Sequence, residues 1–186
     1  MLHPTLNQLL LDSLRRYDKP DLFWQKVGGR WQKMPTQQFL ACTAALAVAL
    51  RQFGLQKGDR VALFSENRPE WHIADLAVLG LGGLNLPLYA GEVPERLQFM
   101  LGEAEARLAV VARREHFEKV RAVWPNLPKL EKVIAIEPVA ADTPELRGRV
   151  VAWDTVVRQD IPQSLLSEFE RQAQAVKADD VASLIY

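Results

Sequence analysis

The chain has 186 residues, 48% of them hydrophobic, which is enough to bury the core of one globular domain. Its 23 Lys and Arg balance 23 Asp and Glu, so no electrostatic case exists for a nucleic-acid partner. The lone cysteine, Cys42, excludes an internal disulfide and a Cys-built zinc site, and so little cysteine points to a reducing cytoplasm.

Along the chain, residues 5–16 place Leu6, Leu9, Leu10 and Leu14 at helical spacing, and the start reads as an amphipathic helix rather than a secretory leader. DLFWQKV, Gly28-Gly29 and RWQKMP predict a β-hairpin, because the glycines supply the positive φ of a tight turn. Thr36 is expected to cap a helix carrying Phe39, Thr43, Leu46, Leu50 and Phe53, ended by Gly54.

VALFS (61–65) predicts a buried strand, and Asn67 with Glu70 has capping-box spacing around Pro69. The following helix is apolar on nearly every side and stops at Gly82-Gly83. LNLPLY (84–89), LAVVA (108–112) and KVIAIE (132–137) predict further strands, separated by helices from Pro94 and over 115–124. A loop at 138–149, a short strand VVAW (150–153), a helix at 163–176 and a buried strand VASLIY (181–186) complete the series. Strand–helix alternation with strands apolar throughout predicts an α/β fold, a mostly parallel sheet with helices on both faces. VASLIY is expected as a central or near-central strand. The most apolar stretch, Ala74–Ala90, is too short to span a bilayer and holds Asp75, Asn85 and Pro87. A soluble protein without a transmembrane segment is expected, with peripheral association at the inner face of a membrane left open.

Few residues suggest chemistry. Gly80-Leu81-Gly82-Gly83 lacks the strand before and the helix after that a dinucleotide fingerprint needs, and reads as a helix end with close packing. His3, His72 and His116 show no metal-ligand spacing. Cys42 reads as a small buried residue. Ser65-Glu66-Asn67, just past the first core strand, is the most plausible polar site, since ligands in open parallel sheets bind beyond the strands' carboxyl ends. The five tryptophans, at 24, 31, 71, 124 and 153, are too dispersed for an aromatic platform.

One stretch goes further. GLQKGDRVALFSENRPEWHIADLAVLGLGGLNLPLYAGEVPERLQFMLGEAEARLAVVA (54–112) resembles the N-terminal region of adenylate-forming (AMP-forming) acyl-CoA synthetases. KGDRVAL is general to that superfamily. SENRPEW, IADLA and the GG-x-x-x-P-LY pattern resemble the long-chain fatty acid–CoA ligase branch. DDVASLIY resembles the strand leading into the family's phosphate loop. The resemblance implies that 1–56 (helix, hairpin, helix) and 57–186 (an α/β subdomain) form the first part of a synthetase N-terminal domain. It implies a parent enzyme using a fatty acid, ATP, Mg²⁺ and CoA. It also implies that the chain is an N-terminal fragment stopping before the phosphate loop, inactive alone, with an apolar surface that promotes self-association. It assigns no catalytic, cofactor-binding or metal residue within 1–186. Tyr186, beside the expected loop, is the nearest to the site. Two alternatives stand beside this reading: a superfamily member acting on another carboxylate, and a non-catalytic α/β module for oligomerisation or partner contact.

Overall fold

The computed structural model describes residues 5–141 and 143–186. His3, and Asp142 of the 138–149 loop, lie outside the described residues. Helix α1 (Leu6–Arg16) starts where the Thr5 side chain accepts from the Gln8 N–H. Strands β1 (Phe23–Val27) and β2 (Arg30–Met34) pair antiparallel across Gly28 and Gly29, with φ of 56° and 81°. Both glycines take the left-handed conformation that a two-residue hairpin requires.

Helix α2 (Thr36–Gln52) leads to β3 (Arg60–Phe64), α3 (Pro69–Gly80), β4 (Leu84–Leu88), α4 (Pro94–Glu103) and β5 (Leu108–Val111). Then come α5 (Arg114–Val123) with a 3₁₀ turn at Trp124–Asn126, β6 (Lys132–Ala135), β7 (Val150–Ala152), α6 (Trp153–Val156) and α7 (Gln163–Ala175). The five strands β3 to β7 form one wholly parallel sheet in the order β4-β3-β5-β6-β7.

The pleat divides the core in two. Val61, Leu63, Leu108, Val110 and Ile134 face α2, α3 and α7, whereas Ala62, Phe64, Ala109, Val111 and Val133 face α4 and α5. Both faces are covered, which is why the strands lack polar alternation. Helix α2 is buried well beyond the expected stripe: Ala44, Ala45, Ala47 and Ala49 are buried too. Small side chains let α2 pack tightly between its neighbours. Full burial of a side chain such as Leu46, Leu50 or Ile73 contributes about 1.5–3 kcal/mol.

Four expectations need correction. Thr36 does not cap α2: its hydroxyl accepts from the Lys19 N–H at 3.0 Å, Thr36 N–H donates back to the Lys19 carbonyl at 2.9 Å, and Pro35 takes the cap position. Asn67 and Glu70 form no capping box. Arg68 is the N-cap of α3, and its guanidinium binds Glu70 at 2.8 and 3.1 Å. Trp153 opens α6 instead of ending a strand.

The largest correction concerns VASLIY. It is not a central strand. Only Ser183 forms a bridge, parallel to Asn85, at the outer edge of β4, and Val181, Ile185 and Tyr186 are exposed. The reason lies in β4. Leu84 N–H donates to Asp59 O on the β3 side, so Asn85 and residue 87 face the terminal segment. Residue 87 is proline and offers no N–H to continue the ladder.

Candidate functional site

The strand order defines a crevice. From β3 the chain crosses by α3 to β4 on one side, and from β5 it crosses by α5 to β6 on the other. The crossovers diverge between the carboxyl ends of β3 and β5, the place where open α/β sheets bind ligands. The β3–β5 register pairs Phe64 with Val111. The segments that follow, Ser65-Glu66-Asn67 and Ala112-Arg113, are therefore neighbours.

Charged side chains meet there. Arg113 Nε donates to Glu66 Oε1 at 2.8 Å, and Arg68 Nη1 lies 3.9 Å from the same oxygen. The Arg114 N–H, at the start of α5, donates to Glu137 Oε2 at 3.3 Å. Partial burial pushes the Glu66 carboxyl upward, but backbone hydrogen bonding and the Arg113 and Arg68 charges outweigh it and hold the pKa below the ordinary glutamate value. Burial would lower the Arg68 pKa, but its bonds to Glu70 and the nearby carboxylates raise it.

The hairpin flanks this ion network. Phe23, Trp24 and Trp31 border an open cleft of about 680 Å³ together with Glu66, Arg68 and Arg113. Phe23 stacks on His72 with ring centroids 5.1 Å apart, and Trp71 meets His72 edge-on at 5.2 Å. Burial depresses the His72 pKa against the opposing pull of Asp75, which favours the neutral imidazole. The cleft thus joins paired charges to aromatic surface. Beside it, the Ser65 hydroxyl donates to the Glu66 carbonyl at 2.7 Å.

Elsewhere the candidates resolve into structural parts. At Gly80 an added Cβ would strike Phe169, and Gly82 has φ of 72° at the end of α3. Cys42 is buried, and desolvation pushes its thiol up to about 11. His116 Nδ1 accepts from the Arg113 N–H at 3.3 Å, and its ring packs 4.4 Å from that of Phe64. Trp124 and Trp153 are buried, Trp71 is half-buried, and Trp24 and Trp31 are exposed. Tyr186 sets its ring edge-on to Phe99 at 6.1 Å, and partial desolvation followed by the Glu103 carboxylate raises its pKa.

Ser65-Glu66-Asn67 follows β3 at the crevice, where its place after a strand puts it. Arg113 and Glu137, which join it there, were not singled out from the sequence, although each follows a strand that the apolar pattern identifies. Aligning the ends of those strands was the signal that could have found them.

The class is thus an open, doubly wound α/β domain with a crevice at its switch point. Its family can be stated more closely. The family model described as "AMP-binding enzyme" matches residues 13–186, and the chain belongs to that family. It is 23% identical over 164 residues to the long-chain-fatty-acid–CoA ligase ACSBG1 of Rattus norvegicus, covering 87% of this chain and 22% of that protein. It is 28% identical over 171 residues to the long-chain-fatty-acid–CoA ligase FadD15 of Mycobacterium bovis, covering 91% and 27%. The solved structure of a putative long-chain-fatty-acid CoA ligase from Rhodopseudomonas palustris superposes with a TM-score of 0.67 at 25% identity, over 85% of this chain and 37% of that one. The chain therefore spans about a quarter of the length of the curated relatives it matches. Among the described residues, no helix is long and apolar enough to cross a membrane.

Proposed function

We propose that this chain forms the N-terminal α/β layer of an ATP-dependent long-chain fatty acid–CoA ligase. One observation carries the reading: similarity to long-chain-fatty-acid–CoA ligases runs through 87% of the chain in the rat protein and 91% in the mycobacterial one. A carboxylate is a poor electrophile. Its attack on the α-phosphate of ATP forms an acyl-adenylate and expels pyrophosphate. The thiol of CoA then attacks the acyl carbon, forming the thioester and releasing AMP.

Mg²⁺, when bound, offsets phosphate charge. The described residues offer no group of three or more His, Cys, Asp or Glu able to hold a metal ion, so no ligand to it is assigned here. The part assigned to this chain is architectural. It provides a rigid sheet whose outer edge carries the segment from Asp180 to Tyr186.

The test is the coding sequence after Tyr186, followed by palmitate-dependent ATP–pyrophosphate exchange by the full translated product. A Ser/Thr/Gly-rich segment ending near a lysine, with exchange activity, is expected. A stop codon would overturn the reading and favour a non-catalytic α/β module. Exchange with only a different carboxylate would keep the superfamily and reject the long-chain assignment.

A further inference from the structure

We infer that the pocket behind Asn7 is a binding site for ordered water, which ties α1 to the end of α3 and to residues 176–182. This holds whatever reaction the whole protein performs.

Asn7 sits in the first turn of α1 and is 2% exposed. Its Nδ2 donates to Leu79 O at 2.9 Å and to Ala173 O at 3.3 Å, so one amide joins α1 to the last turns of α3 and α7. These two bonds fix the amide's orientation, because the flipped form would set an oxygen against two carbonyl oxygens. Oδ1 is left on the side away from both carbonyls. Among the described residues it is a buried atom without a hydrogen-bond partner. Buried polar atoms of folded chains are almost always paired, to protein or to ordered water.

Asn7 lines a pocket of about 160 Å³ together with Thr5, Leu79, Gly82, Lys177, Asp180 and Ala182. One water needs only about 10–15 Å³ of such space. The pocket's own polar groups are engaged elsewhere. The Thr5 hydroxyl accepts from the Gln8 N–H at 3.2 Å. Lys57 Nζ lies 2.6 Å from Asp180 Oδ2, and the Lys177 N–H donates to the same oxygen at 2.9 Å. The bond from Lys57 holds the Asp180 pKa below the ordinary aspartate value, so this carboxylate has no proton to offer.

The occupant must therefore bring a donor to Asn7 Oδ1. It must also satisfy polar groups of both signs around it, and water does both. A cation is disfavoured, since Lys57 and Lys177 already set two positive charges against the single carboxylate of Asp180. An apolar occupant would leave the oxygen unpaired. Asn7 thus works on two sides: its nitrogen joins two helices directly, and its oxygen reaches the segment after α7 through solvent.

A crystal structure of this chain is the first test. Density for water at about 2.7–3.2 Å from Asn7 Oδ1 is expected. Soaks separate the other occupants: rubidium, read by its anomalous signal, marks a cation site, and xenon under pressure marks a dry apolar cavity. Either signal in the pocket overturns the inference, and so does density for protein atoms against Oδ1. The second test is magnetic relaxation dispersion of the water oxygen in solution, which counts long-held water molecules. Asn7→Leu is close in size and lacks the acceptor, and is expected to lower the dispersion amplitude by at least the equivalent of one water. An unchanged amplitude in a folded Asn7→Leu overturns the inference. Where that variant does not fold, the parent's density and soaks decide.

Discussion

Gly80 and Phe169 occupy one site between them: a methyl group built on Gly80 would collide with Phe169 Cε2. The bare backbone of α3 is the seat for this ring of α7, which is buried. Gly80→Ala is therefore expected to cost about 1–3 kcal/mol by overpacking, despite the better helix propensity of alanine. Phe169→Ala is expected to cost about 3–5 kcal/mol by leaving a cavity. The two effects couple, because truncating the ring removes the clash. Urea unfolding of both single variants and the double would show a combined cost well below the sum. Strict additivity would refute the contact.

The Glu66–Arg113 bridge should appear as acid sensitivity. The Glu66 pKa is depressed in the folded chain, so its stabilisation is complete above the unfolded glutamate value. It is lost as pH falls through the folded one. Glu66→Gln is expected to reduce stability at neutral pH and to flatten the acid limb of the stability profile. Chemical denaturation between neutral pH and the acid limb measures this, and parallel curves for parent and variant would be the contrary result.

Asp75 runs the other way. Burial raises its pKa, and the Asn85 amide and His72 only partly offset that. A carboxyl with a raised folded pKa favours the folded state below that pKa and costs stability as pH rises through it. Asp75→Asn, which keeps an oxygen for Asn85 Nδ2, is expected to raise the melting temperature at neutral pH. The gain should shrink on acidification. A variant less stable at neutral pH, or a gain independent of pH, would contradict this account.

The exposed apolar side chains include Leu6, Leu9 and Leu10 on α1, Trp24, Val27 and Trp31 on the hairpin, and Tyr89, Val93, Phe99 and Ile185 beyond them. Exposed apolar side chains are material for an interaction face. We propose that the isolated chain self-associates through the side chains on α1 and the hairpin. Sedimentation should show species growing with concentration, and Leu9→Lys or Trp31→Lys should shift them toward monomer. A strictly monomeric parent at high micromolar concentration would refute the proposal.

Much of the fold was legible because β3, β5 and β6 are buried on both faces and carry uninterrupted apolar runs. The helix ends at Gly54 and Gly82 were legible for backbone reasons, since both residues have positive φ. The site was only half legible. Glu66 and Arg113 are 47 residues apart, and only the parallel register brings them together. An apolar run states that a strand exists, not which rung lies opposite which. The same limit explains VASLIY, whose composition signals a strand while its pairing, a single bridge to Asn85 on the outer side of β4, is made with residues about a hundred positions earlier. The capping-box spacing of Asn67 and Glu70 misled because Arg68 takes the Glu70 carboxylate for itself.

Asn7 belongs to the first helix, yet its side-chain amide donates to Leu79 O at 2.9 Å and to Ala173 O at 3.3 Å, the latter 166 residues away in sequence. Loop closure of that length adds to the contact order and slows folding. During synthesis α1 leaves the ribosome before α7 and cannot bury Asn7 and Leu11 fully until α7 has emerged. At typical translation rates that interval is roughly 10–30 s. Through it the leucines of α1 stay uncovered on a nascent chain, a window in which a chaperone or a neighbouring nascent chain can engage them.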